Sequence, residues 1–287
     1  MGRHIFYILL VFAAAILFYG STSCRPLIAG DVLEGSQPQK SLSSDPESKA
    51  AFNNAAELAR QAVEYFENGD KPKSTRAFQE ALNQASLIKD QNLQFWTISD
   101  IAIKYAEIGE SDQATSLISR ISDPNFAAIA LTKIALKCKA AGLVQKCPEI
   151  LSQALMLAGS INNVAVKGNV LSIIAAKYAE AGFFDQALQV AQTINSQHFK
   201  IKAMAGIAAQ YWHNDETTKS EELFKNTFAL VDFIKDADAK ALALSFIAMA
   251  YADMAEFDKA SETAEKITDP AVKSDTAAYI TRGSDKF

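Results

Sequence analysis

The sequence predicts an all-α chain: a right-handed α-α solenoid (superhelix) of about six helical hairpins plus a C-terminal capping helix. Three observations predict it. The phrase Ile174-Ala175-Ala176-Lys177-Tyr178-Ala179-Glu180-Ala181-Gly182 returns in altered form before Gly109 and Ala255. With its glycine as the ruler, equivalent positions fall at Gly69, Gly109, Gly142, Gly182, Asp215 and Ala255, in alternating steps of 40 (69 to 109) and 33 (109 to 142) residues. Apolar residues make up 49% of the chain, with no alternating β-branched runs that would argue for a sheet.

The register holds at positions that did not define it. Seven residues before each marker stand Ala62, Ala102, Ala135, Ala175, Ala208 and Ala248. Eight before stand Gln61, Ile101, Ile134, Ile174, Ile207 and Ile247, and eleven before stand Leu58, Ile98, Leu131, Leu171, Met204 and Leu244. Four before stand Tyr65, Tyr105, Cys138, Tyr178, Tyr211 and Tyr251. These offsets trace one face of a helix. The invariant alanine marks a close crossing, where a larger side chain would overpack the contact at a cost of roughly 1–3 kcal/mol. A glycine after the tyrosine suits a left-handed residue that ends the helix and turns the chain back.

The set Ala175, Tyr178, Gly182, Phe184, Asp185 and Ala187 resembles the tetratricopeptide repeat, over roughly residues 50 to 287. The resemblance is closest in the copies at 109, 182 and 255, near the family's ~34 residues. The other copies carry seven extra residues (40 against 33), expected to be shared between the turn and the second helix, as in Asp70-Lys71-Pro72-Lys73-Ser74 before Ala77. The resemblance implies a concave face, lined by the first helices, that holds a peptide.

Residues 1–23 read as a signal peptide or membrane anchor: Arg3 precedes an apolar run from Ile5 to Tyr19, short for a span of about 17–25 residues. Cys24 follows a small-residue stretch and is a candidate for lipidation, with ordinary cleavage or an uncleaved anchor as the alternatives. Residues 24–48, with Pro26, Pro38, Pro46, Gly30 and Gly35, read as a flexible linker. Residues 49–287 form the repeat domain. Its first helix starts after Asp45-Pro46-Glu47, a cap followed by a first-turn proline. Helices are expected near 73–88, 93–108, 111–121, 126–141, 148–157, 164–181, 184–194, 199–214, 220–234, 237–254 and 257–267, with breaks at Ser122-Asp123-Pro124 and Thr268-Asp269-Pro270. A last helix from Ala271 puts Thr281 where the alanine belongs, as a terminal cap should.

Net charge is −5 and no basic stripe appears, which disfavours nucleic acid as a partner. His4, His198 and His213 lack metal-ligand spacing, and no metal or other cofactor is expected. Cys138 and Cys147 flank the Gly142 turn, where antiparallel helices could bring them into disulfide range; the alternative is two buried thiols. The carboxylates Glu107, Asp112, Glu180, Asp185, Asp253 and Asp258 lie at helix ends and read as solvated dipole partners rather than acid–base pairs. Ten before each marker stand Ala59, Ser99, Thr132, Ser172, Ala205 and Ser245, expected on the concave face with Trp96, Asp100, Lys133, Lys202, Trp212 and Phe246 near them. The small residues of that row equally suit a role in setting the curvature.

The expectation is a non-catalytic protein-interaction scaffold, exported to a bacterial cell envelope and attached to the membrane through its N-terminal segment or a lipid, with a protein or peptide ligand on the concave face. The alternatives are an enzyme on an α/α helical array acting on envelope polymers, and a structural spacer.

Overall fold

A computed structural model describes residues 45–285; the signal or anchor segment, Cys24 and nearly all of the linker lie outside the described residues. Among the described residues thirteen α-helices follow one another: α1 (Pro46–Glu67), α2 (Lys71–Ser86), α3 (Gln91–Glu107), α4 (Ser111–Ile118), α5 (Pro124–Ala140), α6 (Cys147–Gly159), α7 (Val164–Ala181), α8 (Phe184–Thr193), α9 (Gln197–His213), α10 (Thr217–Val231), α11 (Ala237–Asp253), α12 (Phe257–Glu265) and α13 (Pro270–Ser284). A short 3-10 turn, Val144–Lys146, precedes α6. No strand occurs among the described residues. The chain is an all-α solenoid of hairpins.

The ruler taken from the sequence proves to be a backbone conformation. Gly69, Gly109, Gly142 and Gly182 have φ between +81° and +95°, and Asp215 and Ala255, which break the glycine pattern, take φ +60° at the same place. Each marker N–H donates to the carbonyl three residues back, and the next N–H reaches back to the carbonyl of the Tyr or Cys position, as in Phe183 to Tyr178 at 2.8 Å and Glu256 to Tyr251 at 2.9 Å. This 6→1 bond closes a Schellman motif and satisfies carbonyls that the helix end leaves open. The hairpin turn therefore has one geometry in all six copies.

The seven additional residues of the Gly69 and Asp215 copies lie in the second helix and not in the turn, while in the Gly142 copy the 3-10 turn Val144–Lys146 takes three residues ahead of the helix. Asn68-Gly69-Asp70 and Ile108-Gly109-Glu110 are turns of equal length, whereas α2, α6 and α10 have 16, 13 and 15 residues against 8, 10 and 9 in α4, α8 and α12. Seven residues are about two helical turns, so they extend a helix without rotating its buried face far.

The alanines seven before each marker are all fully buried. The aromatic four before the marker stacks on the preceding hairpin's second helix: Phe78–Tyr105 at 3.8 Å, Phe184–Tyr211 at 4.1 Å and Phe224–Tyr251 at 4.3 Å between ring centroids. A second ruler lies in the connectors between hairpins. Ile88, Ile121, Ile161, Ile194, Ile234 and Ile267 are all buried, and two residues after each comes the N-cap of the next first helix: Asp90, Asp123, Asn163, Ser196, Asp236 and Asp269. All of these caps except Ser196 accept from backbone N–H groups of the first turn.

Each first helix (α1, α3, α5 and so on to α13) packs on the first helix before and after it, while each second helix packs on its own partner and on the first helix that follows. The closely packed row of first helices forms one layer, called the inner face below, and the second helices lie outside it.

Candidate functional site

The row ten before the marker does not open onto this inner surface, contrary to the expectation from sequence. Ser99, Thr132, Ser172, Ala205 and Ser245 are buried, Ser172 with 1% of its surface exposed, in the seam between neighbouring first helices. Their hydroxyls are used internally: Ser99 donates to Phe95 O, Thr132 to Ile129 O and Ser172 to Asn169 O, and Ser245 pairs with Thr276 of α13 at 2.7 Å. The small residues set the approach of the helices. The open stripe is displaced by one residue, about 100° around the helix, to the positions nine and thirteen before the marker. The first holds Asp100, Lys133, Ile173 and Gly206, partly open, and Phe246, which is buried; the second holds Trp96, Ile129, Asn169 and Leu242, partly open, and Lys202, which is buried.

Three of the residues singled out from sequence meet on the inner face. Trp96 and Asp100 lie one turn apart on α3, and Lys133 of α5 places Nζ 5.4 Å from the centre of the Trp96 ring. The Phe126 ring meets the indole edge-on at 5.9 Å and fixes it. Burial raises the pKa of the Asp100 carboxyl, opposed by Lys104 and Lys133. Burial lowers that of the Lys133 amine, opposed by Asp100 and abetted by Lys177. The two charges sense each other, yet neither forms a hydrogen bond or an ion pair within 4.0 Å among the described residues.

Around this pair the other charges are matched. Glu107 receives Lys104 at 2.7 Å and Lys137 at 2.5 Å, and Lys177 pairs with Glu180 at 2.6 Å. Burial works against the Glu107 carboxylate, but the hydrogen bonds from both lysines hold its pKa below the ordinary value. Lys139 reaches from α5 to Glu180 O at 2.7 Å, which ties two first helices together.

The second cluster lies towards the C-terminal end of the inner face. Lys202 has 8% of its surface exposed; its Nζ donates to Asn169 Oδ1 of α7 at 2.7 Å and sits 5.2 Å from the centre of the Phe246 ring of α11. Phe199 lies over Phe246 at 6.4 Å, and Met249, Leu242 and Tyr279 complete an apolar cluster; Phe199 also packs on the main core, and Leu242 and Tyr279 on the core of the C-terminal helices. Gly168 makes room for Phe199, since a Cβ there would stand 2.8 Å from the ring. Burial alone pushes the Lys202 amine down to about 7. Lys202 and Phe246 were legible as candidates, whereas Asn169, Phe199 and Met249 were not. Asn169 was findable, because it occupies in α7 the register position that Lys202 occupies in α9.

The remaining candidates lie elsewhere. Trp212 does not line the inner face: it packs beside the next hairpin's turn, with Lys259 Nζ 5.9 Å from its ring and from that of Tyr251. Cys138 and Cys147 are buried free thiols. Burial pushes Cys138 up to about 11, and Cys147 Sγ donates to Ala135 O at 3.3 Å, as Ser220 Oγ does to Ala208 O one double repeat later. His198 is half-buried against Phe199 at 4.3 Å, its pKa lowered first by burial. Asp112 pairs with Lys146, and Asp253 accepts from the Tyr279 hydroxyl at 2.6 Å. No group of three metal-ligating side chains occurs among the described residues, and no helix there is long and apolar enough to cross a membrane. A shallow depression at the Gly109 turn, lined by Tyr105, Glu110, Asp112 and Gln113, lies away from both clusters.

Neither a protein-family model nor a curated protein matches the chain. Among solved structures it is similar to a putative kinesin light chain with nearly identical TPR-like repeats from Podosopora anserina, at 17% identity over 65% of this chain and 96% of that one, with a TM-score of 0.38. It is also similar to Ton1535 from Thermococcus onnurineus NA1, at 12% identity over 80% and 91% of the two chains, with a TM-score of 0.37.

Proposed function

We propose that the protein is a non-catalytic interaction module that holds a protein or peptide segment along the inner face of its first helices. One observation carries this reading. Asp100 and Lys133 keep half-buried charges beside Trp96 that form no ion pair or hydrogen bond among the described residues, while neighbouring charges such as Lys104, Glu107 and Lys137 are neutralised by one another. Neither group is sealed from solvent, since no fully buried polar side-chain atom among the described residues lacks a partner. A ligand can supply an acceptor to Lys133, a donor to Asp100 and a flat surface to Trp96.

The setting we propose is a bacterial cell envelope, with the body tethered through the N-terminal segment or through an acylated Cys24. The apolar run from Ile5 to Tyr19 after Arg3, and the Pro- and Ser-containing stretch to about residue 48, support this. The carboxylates at helix ends support a binding role over chemistry, since Glu107 and Glu180 are engaged by lysines.

The test is site-specific photo-crosslinking in envelope preparations, with the crosslinker placed at Lys133, at Ile173 and, as an outer-layer control, at Met156, whose side chain is exposed on α6. One protein captured from both inner positions and not from the control is the expected result. Capture from Met156 alone overturns the inner-face reading, and Cys24→Ala that leaves membrane recovery unchanged overturns acylation.

A further inference from the structure

We propose that Lys202 is the anchor for a carboxylate carried next to an aromatic or branched aliphatic group, so that the C-terminal end of the inner face selects an acidic–apolar pair. The proposal rests on the inner-face reading above and specifies its chemistry. A lysine amine with 8% of its surface exposed needs strong compensation, and here it receives one amide oxygen, Asn169 Oδ1 at 2.7 Å, and one ring face, Phe246 at 5.2 Å. An ammonium has three donors, and Asn169 uses one of them. Among the described residues no carboxylate of α7, α8, α10 or α11 bears on it; the titratable group that does is His198 on its own helix, half-buried itself, disfavoured as a cation by Lys202 and favoured by Asp236, the N-cap of α11. The site is built to be one anion short.

The surroundings define what accompanies that anion. Phe199, Leu242, Phe246, Met249 and Tyr279 form an apolar wall that joins the core through Phe199, Leu242 and Tyr279, and Gly168 is the residue that lets Phe199 stand in it. A bare inorganic anion would leave this wall unmatched. A carboxylate beside a hydrocarbon group fills both. Because the amine is disposed to give up its proton at neutral pH, the pairing also takes up a proton: a bound carboxylate favours the ammonium form, and the complex gains H⁺ as it forms.

The experiment titrates the full chain with N-acetyl-Glu-Phe-amide, N-acetyl-Gln-Phe-amide, phenylacetate and acetate, following the Lys202 ε-CH2 resonance by NMR and affinity by calorimetry at pH 6.5 and 8.5. The Glu peptide or phenylacetate should bind and move the Lys202 signal, while the Gln peptide and acetate should bind at least about tenfold more weakly. Affinity should fall by roughly tenfold or more from pH 6.5 to 8.5, as proton linkage requires. Tighter binding of the Glu peptide assigns the acid to a protein partner, and tighter binding of phenylacetate to a free aromatic acid.

Two variants guard against misfolding. Lys202→Met removes the anchor and should abolish binding while the chain stays folded. Asn169→Asp supplies an internal counter-ion and should abolish both binding and its pH dependence. Equal binding of the Glu and Gln peptides, an unmoved Lys202 resonance, or full affinity in Asn169→Asp overturns the proposal. Crosslinks from Lys133 and Ile173 with no carboxylate response overturn this inference alone; a carboxylate response without those crosslinks overturns the broader reading instead.

Discussion

The hairpins α5–α6 and α9–α10 occupy equivalent places in successive double repeats, and each presents one lysine to the inner face over an aromatic ring. Lys133 reaches back to Trp96 and has Asp100 within electrostatic reach; Lys202 reaches forward to Phe246 and has only the Asn169 amide. Burial disfavours the cation at both sites, but a carboxylate opposes it only at Lys133. The same scaffold thus makes two surfaces, one with a loosely balanced pair of charges and one with a single buried cation. What differs is not the fold but which side chain stands one turn away on a neighbouring helix.

The largest contrast should come from removing the polar neighbour of each lysine. Asn169→Leu strips Lys202 of its acceptor and should cost about 2 kcal/mol, whereas Asp100→Asn should change stability by less than about 0.5 kcal/mol, both read by denaturant unfolding. If the two costs are equal, the sites do not differ as described.

Next come the turns that end the two lysine-bearing helices. Gly142, below Lys133, has φ +83° with no atom within 4 Å of an added Cβ, so Gly142→Ala should cost about 1–2 kcal/mol through backbone strain alone. Asp215, below Lys202, adopts φ +60° without being glycine, so Asp215→Gly should be neutral or stabilising, by up to about 1 kcal/mol. A loss on Asp215→Gly would show that the aspartate side chain has a task of its own.

Replacing the lysines themselves should separate stability from binding. Lys202→Met should stabilise the fold by about 1 kcal/mol at pH 7, because a buried amine gives way to hydrocarbon, while Lys133→Met should stay within about 0.5 kcal/mol. The pH dependence has a definite sign. The folded-state pKa of Lys202 lies near 7, below its unfolded value, so between these limits the unfolded chain binds the extra proton. The stability of the native chain relative to Lys202→Met should therefore rise from pH 7 towards pH ~10. A relative stability that falls over that window contradicts the burial of an uncompensated cation.

The smallest effect is expected at the slot five residues after the marker. Cys147 and Ser220 hold the same position and donate to equivalent carbonyls, Ala135 O at 3.3 Å and Ala208 O at 2.8 Å. Cys147→Ser should therefore shift the melting temperature by no more than a few degrees, whereas Cys138→Ser, at a fully buried tyrosine slot, should cost more.

How far the sequence could be read follows from which features repeat. The alanine, isoleucine and tyrosine offsets located the helices and all six left-handed positions, including Asp215 and Ala255, because a backbone conformation enforced in every copy leaves its trace even where glycine is missing. The connector isoleucines, Ile88 to Ile267, are equally periodic; the sequence expectation puts five of the six at the ends of second helices, whereas each stands buried in the connector beyond the helix end. The inner face was harder. Ser172 and Ile173 differ by one position, and only the packing of α7 between α5 and α9 decides which one is sealed and which is open. Trp212 and Lys202 sit on the same helix, yet the turn of α11–α12 claims the first and Asn169 with Phe246 claim the second. Such assignments depend on neighbours 33 to 47 residues away, at offsets that the repeat does not conserve.

The most direct test is the titration of Lys202 in the full, unliganded chain, followed through its ε-CH2 group by NMR against the other lysines. The account predicts a midpoint near 7, set apart from the rest and absent in Lys202→Met. A Lys202 resonance that titrates with the bulk near ~10.4 would mean that the amine is solvated or already paired, and the inner face would then hold no uncompensated cation for a partner to meet.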